Sequence, residues 1–386
     1  MEPFAGPVTD ARTRVVVLFG GRSAEHEVSC TSAVSVLGAL DRDRFDIMAV
    51  GVTRDGEWVR SESAEALVRR SAAGEIGKAP RLEATGTAVD RSALLSRGHV
   101  SASDAASDAV AGRVVVLPIL HGPFGEDGTV QGMLELADVP YVGSGVLGSA
   151  VGMDKAIAKS VLATAGIPQA KWLARASWEL ATPAAVDDFS ELVDAVLVFP
   201  VFVKPANMGS SVGVTKAHDH EEFISALDIA LAFDDWVVVE ESIVGREIEF
   251  AVLGNEHPEV SVGGEILPGK EFYDYEDKYL GDAAQLVIPA ALSSEELAAG
   301  QHLALQTFRA LRAEGMARVD FFYDDRPDGA GWLVNEINTI PGFTPISMYP
   351  KLWEASGVPY PQLLDRLIAL AVARHARRSN RVGRSR

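Results

Sequence analysis

The 386-residue sequence contains a single cysteine and no uninterrupted apolar run of the roughly 18 residues needed to span a bilayer. One cysteine, Cys30, excludes an internal disulfide and fits a reducing compartment. Its Ser/Thr/Ala-rich surroundings favour a small buried hydrophobe over a nucleophile. The first ten residues also lack the charged-then-apolar pattern of a signal peptide. These absences predict a cytoplasmic protein with no membrane partner.

Positive charge is also scarce. The 54 acidic residues outnumber the 35 lysines and arginines, so the formal net charge is −19. Six of the arginines lie within residues 374–386, and the rest of the chain therefore carries −25. A body this acidic argues against nucleic acid as a partner, and any phosphate site must gather its cations locally. The arginine-rich end itself is predicted to be a frayed, disordered terminus.

The N-terminal part of the chain has the pattern of an α/β domain. The chain as a whole, with 47% apolar and 23% charged residues, is typical of a globular protein of two or three domains. Apolar β-rich runs alternate with helical stretches, which predicts an open parallel α/β domain over residues 1–143. The strands are predicted at 14–21, 45–53 and 114–120, and a helix at 29–40. Residues 61–111 lack sustained periodicity and are predicted to be an insertion.

Two polar pairs lie on the apolar runs near the C-terminus, Arg318-Val-Asp320 and Glu336-Ile-Asn338. Residues two apart in a strand point to the same face, and the turn-rich segment 324–331 predicts a hairpin that brings the pairs together. Three oxygen ligands beside a guanidinium suit Mg²⁺ with room for phosphate oxygens. A solvated strand face with ordinary charges is the alternative interpretation.

A glycine- and serine-rich loop follows another predicted strand. Lys204 ends the run 199–204 and precedes Gly209, Ser210, Ser211 and Gly213. Glycines allow backbone amides to approach a phosphate, while hydroxyls and the lysine add donors and charge. The lysine precedes the glycines, so this is not a P-loop. A plain β-turn would explain the loop equally well when it is taken alone.

Seven motifs, read in order over roughly residues 14 to 370, resemble the D-alanine-D-alanine ligases of the ATP-grasp superfamily. They are Gly20-Gly-Arg-Ser-Ala-Glu-His-Glu-Val-Ser29, His121-Gly-Pro-Phe-Gly-Glu-Asp-Gly128, Met153-Asp-Lys155, Val203-Lys-Pro-Ala-Asn-Met-Gly-Ser-Ser-Val-Gly213, Phe272-Tyr-Asp-Tyr-Glu-Asp-Lys-Tyr279, Arg318-Val-Asp320 and Glu336-Ile-Asn-Thr-Ile-Pro-Gly-Phe343. The 61–111 insertion and the arginine-rich tail lie outside this resemblance.

The resemblance implies a three-lobed molecule and a defined reaction. Two α+β lobes, residues 144–244 and 245–386, would form the ATP-grasp fold behind the N-terminal domain. ATP would phosphorylate the carboxylate of one D-alanine, and the amine of a second would attack the acyl phosphate to give D-alanyl-D-alanine for peptidoglycan synthesis. The family also suggests a homodimer. The protein contributes positioning and charge stabilisation in such a reaction.

The resemblance also assigns roles to individual residues. The expected metal ligands for two Mg²⁺ ions, or for Mn²⁺ in their place, are Asp320, Glu336 and Asn338. The expected ATP contacts are Lys155, Lys204, Ser211 and Lys278 for phosphates and Glu240, Ile243 and Glu247 for the nucleoside. Arg318 would stabilise the oxyanion, and the expected amino-acid contacts are Glu25, Ser210, Tyr279, His121, Gly342, Ser347 and Met348.

Alternatives within and beyond this family remain open at this point. Tyr279 in the tyrosine-rich segment favours a dipeptide product over the D-alanyl-D-lactate made by resistance-type relatives. A catalytically silent ATP-binding regulator would not need Arg318, Asp320, Glu336 and Asn338 together. A ligase for another amino acid is a third alternative. The loop over residues 272–282 is predicted to close over the nucleotide and exclude water.

Overall fold

The N-terminal sheet has a parallel centre. The computed structural model describes residues 12–72, 82–91, 114–267, 285–326 and 328–381. Its first five strands are β1 (Thr13–Gly20), β2 (Phe45–Val52), β3 (Trp58–Ser61), β4 (Gly86–Ala88) and β5 (Val114–Ile119), and they form a sheet of order β4-β3-β2-β1-β5. β1 runs parallel to both β2 and β5, as predicted. β3 and β4 add an antiparallel edge that the sequence did not predict.

The helices of this part connect and cover the strands. They are α1 (His26–Ala39), α2 (Glu62–Ala72), α3 (Thr129–Leu136) and α4 (Val146–Met153). α2 and β4 both lie within residues 61–111, so part of the predicted insertion belongs to the N-terminal sheet and its covering layer. Cys30 on α1 is buried in the apolar cluster against β1, which confirms its prediction as a small core residue.

A second sheet is antiparallel throughout and has the order β6-β9-β7-β8. Its strands are β6 (Trp172–Ala176), β7 (Val201–Pro205), β8 (Thr215–Ala217) and β9 (Trp236–Glu241). The helices around it are α5 (Lys155–Thr164), α6 (Pro183–Val196) and α7 (His220–Leu231), with a 3₁₀ turn over Ser177–Leu180. α5 begins one residue after α4 because Asp154 caps it by accepting from the Ile157 N–H at 2.9 Å.

The third sheet is also antiparallel and has the order β12-β11-β10-β13-β14. Its strands are β10 (Arg246–Gly254), β11 (Glu259–Leu267), β12 (Gln285–Val287), β13 (Gly315–Asp324) and β14 (Gly331–Asn338). Among the described residues, three helices pack with it: α8 (Ser294–Ala310), α9 (Met348–Ala355) and α10 (Tyr360–Ser379). One apolar cluster joins residues of β1, β10, α9 and α10, so the N-terminal and C-terminal parts share a core.

The C-terminal helix differs from the predicted frayed tail. α10 continues to Ser379, and the Arg374 side chain is buried, donating to the backbone carbonyls of Tyr141 and Gly143. Arg378 pairs with Glu314 at 2.7 Å. Sequence patterning does not detect these distant acceptors. Those of Arg374 hold the helix on the N-terminal part. Within the described ranges, no helix combines the length and apolarity needed to cross a membrane.

Candidate active site

The predicted C-terminal hairpin is confirmed and carries a row of acidic side chains. β13 and β14 pair so that Asp320 lies opposite Glu336 and Arg318 opposite Asn338. On the other side of β13, Asp320 lies opposite Glu249 of β10. Three carboxylates from three neighbouring strands therefore line one face of the sheet. Glu249 was not predicted as a site residue.

Arg318 binds two of these carboxylates. Its Nε and Nη2 donate to the two Asp320 oxygens at 2.7 Å each, and Nε lies 3.0 Å from Glu249 Oε2. Burial would lower the pKa of Arg318, but Asp320 and Glu249 outweigh burial and raise that pKa well above its ordinary value. The guanidinium is therefore a permanent, fixed cation among acidic groups.

A β-bulge at Asn335 allows the hairpin to serve both a core and a polar site. The pairing steps from Asp320 with Glu336 to Phe321 with Val334, so one residue of β14 has no partner. Val334 and Glu336 would share a face in a regular strand. With the bulge, Val334 is buried with Phe321 in an apolar cluster, whereas Glu336 lies opposite Asp320.

The donor chemistry of this hairpin fits a hard divalent cation. Asp320 and Glu336 supply carboxylate oxygens and Asn338 supplies an amide oxygen, which is the ligand class that Mg²⁺ prefers. Asn338 Oδ1 accepts from the Ile340 N–H at 3.2 Å, which fixes the amide orientation. The described residues contain no preformed cluster of three or more His, Cys, Asp or Glu side chains around a metal position.

Lys155 connects this acidic face to the serine-rich loop. Lys155 Nζ donates to the Met208 carbonyl at 2.5 Å and lies 3.9 Å from Glu336 Oε2. Ser210 and Ser211 both adopt positive φ angles, 50° and 60°, so the loop turns sharply at the hydroxyls. Lys204, at the end of β7, instead lies 3.1 Å from Glu240 Oε2.

Glu240 lies buried beside two lysines. Its Oε2 is 3.1 Å from Lys204 Nζ and its Oε1 is 3.4 Å from Lys159 Nζ. Burial raises the pKa of this carboxyl, but Lys159 and Lys204 outweigh burial and lower it to about 2. Lys159 was not predicted as a site residue. Ile243 and Glu247 follow on the β9–β10 connection and at the start of β10.

The amino-acid side of the candidate site joins two distant loops. Ser210 Oγ donates to Glu25 Oε1, a contact between residues 185 apart in the chain. A Cβ on either Gly122 or Gly209 would come within 2.7 Å of Glu25 Oε2, so a larger residue at either place would require this carboxylate to move. Glu25 is itself buried at the start of α1.

His121 makes structural hydrogen bonds with both ring nitrogens. Nδ1 lies 2.9 Å from the Ile340 carbonyl and Nε2 lies 3.3 Å from Ser32 Oγ. Burial lowers the pKa of the imidazole despite the opposing charge of Glu25. The ring is therefore neutral and carries its proton on Nδ1, where the carbonyl accepts it. In this structure His121 holds the segment that follows Asn338.

Glu126, from the same motif as His121, is a further group without a predicted role. It accepts from the Gly122 N–H at 2.7 Å and from the Ile340 N–H at 3.3 Å. Burial, with the nearby charges of Glu25 and Glu336, raises the pKa of this carboxyl to about 8. The carboxyl thus ties the N-terminal loop to the segment after β14. The burial that gives it this role cannot be read from a Gly-Glu-Asp-Gly sequence.

The remaining predicted contacts divide into three groups. Ser347 Oγ accepts from the Thr344 N–H at 2.9 Å, and a Cβ on Gly342 would lie 2.7 Å from that oxygen, so both belong to one tight loop. Met348 differs from its prediction as a substrate contact, because its side chain is buried in the core beside Gly264. Lys278, Tyr279 and the predicted closing loop lie outside the described residues.

Comparison with known structures shows the class of protein to which this fold belongs. The chain superposes on a D-alanine-D-alanine ligase from Coxiella burnetii with a TM-score of 0.74, 35% identity and coverage of 95% and 96% of the two chains. It superposes on the VanG D-Ala:D-Ser ligase from Enterococcus faecalis with a TM-score of 0.73, 34% identity and coverage of 93% and 99%. The fold is thus that of the ATP-grasp ligases.

Sequence comparison then identifies the family. The models for the D-ala D-ala ligase N-terminus and C-terminus match residues 14–144 and 161–369. The N-terminal match spans the predicted insertion, contrary to the expectation that it lies outside. A D-alanine-D-alanine ligase of Geobacillus thermodenitrificans is 44% identical over 94% of this chain and 96% of its own, and one of Acetivibrio thermocellus is 45% identical over 94% and 97%. The chain belongs to the D-alanine-D-alanine ligase family, whose members are ATP-dependent ligases.

Proposed function

We propose that the residues gathered at this site carry out the ATP-dependent ligation of two D-alanine molecules to D-alanyl-D-alanine, for peptidoglycan precursors. The observation that supports this most is the position of Lys155 beside the acidic face of the hairpin. Lys155 lies 3.9 Å from Glu336 and also donates to the serine-rich loop. A triphosphate with its metal ions requires anionic ligands beside cationic groups in this way.

The reaction proceeds in two steps. A carboxylate oxygen of the first D-alanine attacks the γ-phosphorus of ATP, and the bond to the bridging oxygen breaks to release ADP. The deprotonated amine of the second D-alanine then attacks the acyl carbon, and inorganic phosphate leaves with the electrons of the carbon–oxygen bond. Arg318 stabilises the negative charge that develops on the carbonyl oxygen. Its fixed position between Asp320 and Glu249 means that little reorganisation accompanies this step.

ATP is held at both ends in this proposal. Lys155, Lys204, Ser211 and Lys278 bind the phosphates, and Glu240, Ile243 and Glu247 bind the nucleoside. Lys204 contacts Glu240 at 3.1 Å in the structure, so phosphate binding draws it toward a second anionic partner. Glu240 then accepts a hydrogen bond from the adenine amine.

Asp320, Glu336 and Asn338 would hold the magnesium ions, or manganese in their place. Mg²⁺ would supply neutralisation of phosphate charge, which lowers the cost of bringing the D-alanine carboxylate close to the triphosphate. Arg318 already binds both oxygens of Asp320, which holds this carboxylate in one orientation before a cation arrives. The neighbouring Glu249 balances the guanidinium.

The amino acids bind on the side of the N-terminal domain. Glu25 anchors the ammonium of the first D-alanine and is held by Ser210, with Tyr279 as the expected third member. His121 acts through the Ile340 segment that it holds. Ser347 and Gly342 bind the carboxylate of the second D-alanine as donors, whereas Met348 supports their loop from the core.

We further propose a cytoplasmic homodimer with lobe boundaries near residues 143 and 244. The two boundaries separate the three sheets along the chain, since the second sheet lies within residues 172–241 and the third within 246–338. Light scattering on the purified protein would measure the mass. Limited proteolysis would test the boundaries, with cleavage near them expected before cleavage inside a sheet.

The decisive experiment measures phosphate release from Mg·ATP with D-alanine, L-alanine, D-alanine plus D-serine, and D-alanine plus D-lactate, with products identified by mass. ADP, phosphate and D-alanyl-D-alanine are expected with D-alanine alone. A depsipeptide or a D-alanyl-D-serine product as the main species would replace this proposal with a resistance-type ligase. ATP binding without turnover on any substrate would indicate a regulatory relative instead.

A further inference from the structure

Lys159 is a buried lysine that the proposed reaction does not use. Burial lowers the pKa of its ammonium, and the charge of Glu240 opposes this effect. It lies on α5, one turn after Lys155, and its side chain is only 3% exposed. Gln169 Nε2 donates to its backbone carbonyl at 2.8 Å, which ties this turn of the helix to the following loop. A buried lysine is costly unless an anion compensates it. The anion here is Glu240, at 3.4 Å.

The pairing around Glu240 contains one more cation than the carboxylate requires. Lys204 alone, at 3.1 Å, would neutralise Glu240. Lys204 and Glu240 form a diagonal pair across the β7–β9 ladder, in which Glu240 lies opposite Phe202. Lys159 instead approaches from the helix that packs on this face, where Ala156 contacts the small apolar cluster with Val238. The two lysines therefore hold Glu240 from different elements.

We propose that Lys159 is a positioning residue that keeps Glu240 charged and correctly placed when Lys204 binds phosphate, and that it thereby sets the preference for adenine over guanine nucleotides. This inference rests on the proposed function, because it takes Glu240 as the partner of the adenine amine. It adds a residue that contacts neither phosphate nor base.

The physical reason lies in the two possible states of the Glu240 side chain. An ionised carboxylate only accepts hydrogen bonds, so it favours the amine of adenine and repels the carbonyl oxygen of guanine at the same ring position. A carboxyl left unpaired in a buried site becomes protonated, and its O–H could then donate to that carbonyl. Lys159 prevents this change because it reaches Glu240 from α5, separately from Lys204 on β7.

The test compares Lys159→Met with Lys159→Arg, and uses Lys171→Met as the matched control. Methionine keeps the length and removes the charge, whereas arginine keeps the charge. Lys171 is a mostly exposed lysine that pairs with the neighbouring Glu241 at 3.9 Å. The measurements are KM and kcat for ATP and for GTP with saturating D-alanine, and calorimetric binding of both nucleotides without D-alanine.

Lys159→Met is expected to raise KM for ATP roughly tenfold or more and to lower the ATP-to-GTP ratio of kcat/KM by about tenfold, with kcat within about threefold. Lys159→Arg should restore most of the ratio, and Lys171→Met should change nothing. In a Glu240→Gln background, Lys159→Met should have little further effect on the ratio. An unchanged ratio in Lys159→Met, with equal losses for both nucleotides, would overturn the inference and leave only a structural role.

The binding measurement separates this inference from the proposed function. If the wild-type protein forms no dipeptide but still prefers ATP over GTP, the ligase assignment fails while the base-selectivity test remains valid. If the dipeptide forms and the binding preference survives Lys159→Met, the inference alone fails. If Lys159→Met does not fold, the arginine variant still tests the inference. An inactive or nonselective Lys159→Arg in a folded protein would contradict a role based on charge.

Discussion

The two buried charge clusters of the candidate site carry an excess of charge of opposite sign. Around Glu240, two lysines accompany one carboxylate, which leaves a formal charge of +1. Around Arg318, one guanidinium accompanies Asp320, Glu249 and the opposing Glu336, which leaves −2. Both clusters lie on antiparallel sheet faces, but on different sheets. This acidic protein therefore carries local excesses of opposite charge on two different sheet faces.

These opposite excess charges suit the two charged parts of a metal–nucleotide complex, the phosphates and the metal ions. An excess of lysine attracts phosphate oxygens, whereas an excess of carboxylate attracts divalent cations. Lys155 joins the acidic cluster to the serine-rich loop, since it approaches Glu336 and donates to the Met208 carbonyl. Substitutions in the two clusters should therefore change different kinetic parameters.

The largest effect is expected from the acidic cluster. Asp320→Asn should reduce kcat by about 10³-fold or more, because it removes a proposed metal ligand and one of the two buried anions that hold Arg318. The matched control is Asp325→Asn on the turn of the same hairpin, where the aspartate is half-exposed and pairs with Arg246 at 3.8 Å. Activity at saturating Mg²⁺ is the measurement. A folded, fully active Asp320→Asn would contradict the metal assignment.

A smaller and different effect is expected from the lysine cluster. Lys204→Met should raise KM for ATP by roughly 10–100-fold, since a charge-assisted phosphate contact is lost, while the Mg²⁺ concentration for half-maximal rate changes less than threefold. Lys216→Met, at the exit of the same loop on β8, is the control. Titrations of ATP and Mg²⁺ provide both values. Equal shifts in the two titrations would show that the clusters do not act separately.

The smallest effect is expected at Glu126, outside both clusters. The folded protein raises the pKa of this carboxyl from about 4.5 to about 8, so the native state retains a proton that the unfolded state has lost. Stability should therefore fall as pH rises through this interval, with a slope of at most about 1.4 kcal/mol per pH unit from this group. Below the interval both states bind the proton and the group contributes no slope.

Glu126→Gln removes this titration and should flatten the profile. Urea unfolding of the Mg²⁺-free protein between pH 5 and pH 8.5 measures the slope. Glu135→Gln serves as the comparison variant, because Glu135 on α3 is only 27% exposed and pairs with Arg378 of α10. An identical pH slope in wild type and Glu126→Gln would show that the carboxyl is ionised in the native state throughout this interval.

Local patterns in the sequence predicted the parts of the site that lie on one hairpin or one loop. The period-two spacing of Arg318 with Asp320, and of Glu336 with Asn338, predicted the sheet face correctly. The resemblance to known ligases identified the family and the reaction. The alternation that places Glu249 two residues after Glu247 on β10 was also visible and could have identified Glu249 as a third acidic group.

Other features depended on contacts between distant segments. No spacing rule joins Lys159 to Glu240, or Arg374 to the carbonyl of Gly143, because these partners come from separate elements. The antiparallel edge strand β4 is only three residues long, too short to show a period. The bulge at Asn335 likewise follows from the need to bury Val334 while Glu336 faces the site.

The sequence by itself determined the family, the residue types of the site and the acidic body against which its cations are concentrated. Only the tertiary structure decided which charged side chains lie close enough to form ion pairs. The strength of a buried ion pair depends on its distance, burial and remaining partners, all of which are set when segments such as α5 and β9 pack together. A lysine and a glutamate acquire their roles at that step, as Lys159 and Glu240 do here.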